Sequence, residues 1–217
     1  MHSPPQNQGR KKEKGDPKRE TLAAYTAGAD LYFEQWDRAV YKIPPLLSEW
    51  QSFLPSGALI LDLGCGPAQD SRYLLKKGFR PVGLDGTWPF LLRARKRAGR
   101  LSLVMADLEA LPFHPDSFDG VWAAASLIHL PKQRARSVLL ALRTLIRADG
   151  KFGATFAHGK GEGCLTAGWI PGRYFSYWRK EELARLLTET GWKIILLKRV
   201  FNQERKGSWL NLIAQKS

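Results

Sequence analysis

Cysteine is scarce in this 217-residue chain. Cys65 and Cys164 are its only two, and they lie far apart. They supply neither a disulfide framework nor a metal-ligand cluster, so structural zinc is not expected. Long apolar runs are missing too: nothing approaches the ~18 consecutive apolar residues that span a bilayer. The opening MHSPPQNQGRKKEKGDPKRE holds no apolar block of the kind a secretory signal needs. The expectation is a cytoplasmic protein with no integral membrane association. There is no G-x-x-x-x-G-K-[ST] sequence, which excludes a P-loop triphosphatase. Acidic residues are the minority, 20 against 34 basic, for a net charge of +14. That balance favours anionic partners but says nothing of fold. The first twenty residues carry six basic and three acidic groups, so +11 remains in the body. Two concentrations stand out there: Arg93, Arg95, Lys96, Arg97 and Arg100, and then Lys132, Arg134, Arg136, Arg143 and Arg147. Both fall on predicted helices, either as solvated faces or as patches for nucleic acid or a membrane surface.

What is present is a globular composition, 44% hydrophobic and 11% aromatic, in a length that suits one domain. Residues 1–20 read as a disordered basic tail and 21–217 as a single domain. Helical spacing of Leu22, Tyr25, Ala29, Tyr32, Phe33 and Trp36 predicts a helix over 21–40, and a Pro-Pro start predicts another from 45 to about 53. Together they form an N-terminal helical segment, 21–54.

A strand–helix alternation follows. ALILDLG stops at Gly64-Cys65-Gly66, AQDSRYLLKK is helical, and RPVGLD is the second strand. WPFLLRARKRAG is helical, and LSLVMAD and FDGVWAAASL are the third and fourth strands. A helix over 131–147 and a strand over 150–156 continue the rhythm of an α/β protein with a doubly wound, mostly parallel sheet. Residues 157–176 are rich in glycine and without periodicity, an insertion of the active-site type. A helix over 179–190 then leads to two adjacent strands, WKIILLKRV and SWLNLIAQK, which must pair antiparallel.

Asp62, Asp85 and Asp107 sit at or beside the ends of the first three strands, so one sheet edge should gather them around the Gly64-Cys65-Gly66 turn. Glycine lets backbone approach a ligand that a Cβ would block. A carboxylate after the second strand can accept from both hydroxyls of one ribose, a role that suits Asp85. A dinucleotide is disfavoured, since G-x-G-x-x-G would need glycine where Gln69 stands.

On these residues the chain resembles the class I S-adenosylmethionine-dependent methyltransferases, and in particular the ubiquinone- and menaquinone-biosynthesis-like group. LDLGCGP (61–67) is similar to the family's first motif. VGLD (82–85), MADLEALPF (105–113) and FDGVWAAASLIHL (118–130) resemble the segments that follow it. The resemblance implies a seven-stranded Rossmann-like sheet in the order 3-2-1-4-5-7-6 with strand 7 antiparallel. It implies S-adenosyl-L-methionine as cofactor: Gly64 and Gly66 pass its methionine part, Asp62 holds its amino end, Asp85 takes the ribose hydroxyls, and Asp107 with the Leu108 backbone reads the adenine. Ala68 departs from a third glycine of many members, and Gln69 and Gly86 depart from commoner residues.

A sulfonium methyl is already activated, so the protein has to align a nucleophile, exclude water and, where required, remove a proton. His129 is the candidate catalytic base. Tyr25 is assigned to the cofactor, and Tyr32, His158, Arg173 and Tyr174 to the substrate. The insertion is expected to close over the acceptor with His129 beneath it. The expected reaction is methyl transfer to an O, N or C nucleophile of a small molecule. The alternatives are a tRNA wobble-uridine-type methyltransferase, suggested by the basic body and by RYFSYWRKEELARLL with GSWLNLIA, and a cofactor-binding interaction protein without catalysis.

Overall fold

The computed structural model describes residues 15–36, 41–203 and 207–216. Three helices come first: α1 (Pro17–Ala27), α2 (Ala29–Trp36) and α3 (Pro45–Gln51). The alternation then runs β1 (Leu59–Leu63), α4 (Gln69–Lys76), β2 (Arg80–Asp85), α5 (Trp88–Arg97), β3 (Ser102–Met105) and β4 (Phe118–Ala124). A short 3-10 turn at Leu127–His129 precedes α6 (Lys132–Leu145) and β5 (Ile146–His158). A hairpin, β6 (Glu162–Cys164) and β7 (Tyr174–Trp178), leads into α7 (Lys180–Glu189), β8 (Trp192–Asn202) and β9 (Gly207–Lys216).

The main sheet runs β3-β2-β1-β4-β5-β9-β8, with β9 antiparallel to both β5 and β8. This is the expected 3-2-1-4-5-7-6 order once the hairpin is counted, because β8 and β9 are the strands read as sixth and seventh. β7 also joins the end of β5, pairing Ala157 with Tyr177 and His158 with Trp178.

Period-two alternation divides the core between the sheet's faces. Leu61, Leu63, Val121, Ala123, Phe152 and Ala154 pack with Val138, Leu142, Leu183 and Leu187 of α6 and α7. Ile60, Trp122 and Ile213 turn the other way, onto Leu46, Leu47 and Trp50 of α3 and Leu74 of α4. Strands buried on both faces have no polar alternation, which is why ALILDLG reads as a continuous apolar run.

Three expectations are corrected. The tail boundary at residue 20 is too late: the Asp16 carboxylate accepts from the Lys18 N–H at 3.2 Å and Pro17 opens α1. An Asx cap and a first-turn proline outweigh the polar composition of the segment; residues 1–14 lie outside those described. The single helix over 21–40 breaks at Gly28, which caps α1 through its N–H on the Ala24 carbonyl. A Cβ there would meet Ile170 at 3.0 Å. Residues 37–40 lie outside the description. The insertion is not aperiodic throughout, since its ends pair as the β6–β7 hairpin.

Candidate active site

The parallel strands deliver their carboxyl ends to one edge, where a cavity of about 630 Å³ opens. Asp62, Gly64, Gly66, Asp85, Asp107 and Leu108 all line it. Asp85 is 8% exposed and braces the glycine turn: its Oδ2 accepts from the Gly66 N–H at 2.8 Å and its Oδ1 from the Thr87 N–H at 2.7 Å. Burial raises its carboxyl above the ordinary range, against those hydrogen bonds. Asp62 faces α4, where the Ser71 hydroxyl donates to it at 2.5 Å. Burial, and then the nearby Asp70 charge, push the Asp62 carboxyl up to about 8. Asp107 accepts from the Glu109 N–H and pairs with Lys18 of α1, whose Nζ is 2.5 Å from Asp107 and 2.6 Å from Glu109. Arg134 joins the same network through Asp16 and Glu109.

The glycine turn fits a ligand's close approach. Gly64 has φ +72°, and a Cβ on it would lie 2.4 Å from the Ser126 Cβ. Ser126 lines the cavity, and its buried Oγ has no hydrogen-bond partner among the described residues, an orphaned polar atom beside the turn. Ala125, next to it, has φ +58°, strained backbone for a non-glycine residue. Ala68, the departure from a third glycine, keeps the left-handed conformation at φ 60°. Its methyl packs with Ala94, Leu101 and Cys65 and is not part of the cavity wall, so it does not narrow the turn. The other two departures serve the cover. Leu22 of α1 seats on Gly86, where a Cβ would meet it at 2.8 Å, and the Gln69 amide donates to the Trp36 carbonyl at the end of α2.

The far end of the cavity is built by α1, α2 and the connection between β6 and β7. Tyr32 packs against Phe90 with ring centres 4.5 Å apart and planes tilted by 45°, and its hydroxyl lies 3.6 Å from the point a Gly66 Cβ would occupy. Trp169 lies over Tyr32 and Trp36. His129 is 9% exposed, with Nδ1 2.7 Å from the Tyr174 carbonyl and Nε2 2.9 Å from the Tyr25 hydroxyl. A carbonyl only accepts, so Nδ1 carries the hydrogen, and the neutral ring accepts at Nε2 from Tyr25. Phe175 meets the imidazole edge-on at 5.0 Å.

Of the residues expected at the substrate, Tyr32 and Arg173 line the cavity, whereas His158 and Tyr174 do not. His158 is held at the end of β5 opposite Trp178. The Tyr174 side chain is buried beside Glu162, and only its backbone serves the site, its N–H donating to Thr21 Oγ1 and its carbonyl accepting from His129. Residue-by-residue reading missed Ser126 and Lys18. The small-residue run Ala123-Ala124-Ala125-Ser126 was the available signal for the first. Lys18 was hidden in the segment taken for a tail.

The basic residues of α6 are engaged within the chain: Lys132 with Glu182, Arg136 with Glu189, and Arg143 with the Gly191 carbonyl. Arg147, just beyond it, pairs with Asp119. Among the described residues no helix is long and apolar enough to cross a membrane.

Comparison with known proteins agrees with this geometry. Residues 60–150 match the family model described as a methyltransferase domain. The chain is 39% identical over 66 residues to malonyl-[acyl-carrier protein] O-methyltransferase of Salmonella typhimurium, a match covering 30% of this chain and 26% of that protein. It is 27% identical over 139 residues to an uncharacterized methyltransferase of Synechocystis, covering 64% and 61%. The chain thus spans about a quarter of the first relative's length and about three fifths of the second's. Among solved structures, the Burkholderia thailandensis 1,6-didemethyltoxoflavin-N1-methyltransferase, with its substrate and S-adenosylhomocysteine bound, superposes with a TM-score of 0.72. The two are 21% identical, and the superposition covers 92% of this chain and 87% of that one. The matched stretch, β1 through the start of β5, thus resembles a methyltransferase domain, and the fold as a whole is shared with the Burkholderia thailandensis enzyme.

Proposed function

We propose that the chain transfers a methyl group from S-adenosylmethionine to an O, N or C nucleophile of a small molecule enclosed by α1, α2 and the β6–β7 connection. The observation that carries this is one cavity with two chemically distinct ends, three strand-end carboxylates with a glycine turn at one and the Tyr25–His129–Arg173 group at the other. When bound, the cofactor would supply a sulfonium-activated methyl group for attack by the acceptor, with a neutral thioether as the leaving group. Asp62 would meet the amino end, Asp85 the ribose, and Asp107 with Leu108 the adenine, while the orphaned Ser126 hydroxyl offers a further polar contact at the turn.

In this proposal the two tyrosines exchange the roles expected of them. Tyr32 leans on the glycine turn and would cover the cofactor, while Tyr25 stands with His129 on the acceptor side. His129, fixed by the Tyr174 carbonyl, takes the acceptor's proton through the Tyr25 hydroxyl when the nucleophile carries one. A small-molecule acceptor is preferred to tRNA because the cations along α6 are satisfied by the chain's own carboxylates and carbonyls. The cytoplasmic setting belongs to this proposal.

Calorimetry with S-adenosylmethionine, S-adenosylhomocysteine and NAD tests the first half; binding of NAD in place of the other two would sink it. A screen of product release against phenols, amines, thiols, carboxylic acids and bulk tRNA tests the second, and turnover with tRNA alone would replace the small-molecule reading.

A further inference from the structure

Arg173 is 5% exposed, yet among the described residues it has no ion-pair partner. A buried guanidinium is ordinarily matched by a carboxylate, because removing its charge from water is costly. Here Nε donates to the Ile170 carbonyl at 2.8 Å and Nη1 reaches the Tyr25 hydroxyl at 3.4 Å, and among the described residues no carboxylate lies within ion-pair distance. The guanidinium carbon instead lies 4.8 Å from the ring centre of Trp169 and 5.4 Å from those of Tyr25 and Phe175. Ring faces attract a cation but bring no opposite charge. Five N–H donors in a planar fork therefore end in the cavity wall with only two engaged, among flat aromatic surfaces.

We propose that Arg173 is an anion subsite and that the methyl acceptor is a planar aromatic molecule bearing a carboxylate. The inference deepens the proposed methyl transfer and rests on it. The carboxylate meets the guanidinium fork, which it fits through two parallel hydrogen bonds. The ring lies among Tyr25, Trp169 and Phe175. A monoanion suits the site better than a phosphate dianion, since a single guanidinium balances one negative charge and would leave the second buried without an opposite charge. The position near Tyr25 places the anion beside the Tyr25–His129 pair, so Arg173 sets which acceptor binds.

The test uses the full chain saturated with S-adenosylhomocysteine and titrated with salicylate and 2-naphthoate, each beside its uncharged primary amide. The expected result is that both carboxylates bind at least about tenfold more tightly than their amides. Arg173→Gln brings the carboxylates to the level of the amides while S-adenosylhomocysteine affinity holds, and Arg173→Lys, which keeps the charge but not the fork, falls between. Equal binding of acid and amide by the unmodified protein, no binding of either acid, or a preference that survives Arg173→Gln overturns the proposal. The comparison on the unmodified protein decides the matter even if Arg173→Gln fails to fold. Loss of S-adenosylhomocysteine binding by the unmodified protein would instead remove the methyl-transfer reading and this inference with it.

Discussion

The two ends of the cavity are built on opposite plans. The end proposed for the cofactor rests on strand termini of a sheet whose pairing fixes them: Asp62 is in register with Gly83, and Asp85 with Met105. The end proposed for the acceptor is made of short helices and a connection, held by ring contacts and single hydrogen bonds such as that from the Tyr174 N–H to Thr21 Oγ1. The first plan positions a few polar atoms rigidly, as recognition of one invariant ligand requires. The second allows shape and charge to change without disturbing the sheet, and acceptors differ between proteins that share a fold.

If that division is real, changes at one end should leave the other intact. The largest effect is expected from Gly64→Ala, because its Cβ would sit at positive φ against the Ser126 Cβ. S-adenosylhomocysteine affinity should fall at least about 100-fold by calorimetry, roughly 2.7 kcal/mol. A folded variant that binds normally would show that the turn does not touch the ligand. Next comes Asp85→Ala, which removes an acceptor and also frees the Gly66 N–H. A loss of about 1.5 to 3 kcal/mol is expected. At the other end, Tyr25→Phe interrupts the contact with His129. Turnover on an identified substrate should fall about tenfold or more with S-adenosylhomocysteine affinity unchanged; a matching loss of affinity would return Tyr25 to the cofactor.

Two smaller effects sharpen the picture. Asp62 is raised from 3.8 to about 8 by burial and by Asp70. The folded state therefore holds a proton that the unfolded chain releases between those values, and this contribution to stability is lost as pH rises through the window. Pairing with the ammonium of S-adenosylhomocysteine favours the ionised carboxylate, so the rise in Tm on adding that ligand should grow as pH goes from about 5 to 8. A flat ligand-induced shift would detach Asp62 from the amino end. Ala68→Gly relieves a left-handed alanine but deletes a buried methyl, two terms of about 1 kcal/mol each with opposite sign, so stability to denaturant should change by less than about 1 kcal/mol.

The same division marks what could be read from the amino acids alone. β1, β2 and β4 announce themselves as apolar runs ended by an acid or a small-residue turn, and Asp62, Asp85 and Asp107 reach the cavity as the alternation requires. The acceptor end left weaker traces. β6 is three residues long, too short to carry a period, and exists by pairing with β7. Lys18 joins Asp107 across 89 positions, a contact that no local pattern encodes. Tyr174, expected at the substrate, is instead outside the cavity wall and reaches His129 through its backbone, where residue type is silent. Tyr25 and Tyr32 share a helical stripe in the sequence, which does not say which of them meets His129; in the structure it is Tyr25.

Thr21 joins the two covers of the cavity: its hydroxyl donates to the Pro17 carbonyl at 2.9 Å and accepts from the Tyr174 N–H at 2.8 Å. The amide hydrogen of Tyr174 is thus protected by a helix more than 150 positions earlier in the chain. In hydrogen-exchange terms, α1 and the start of β7 form one cooperative unit, and their protection should be lost together when the chamber opens.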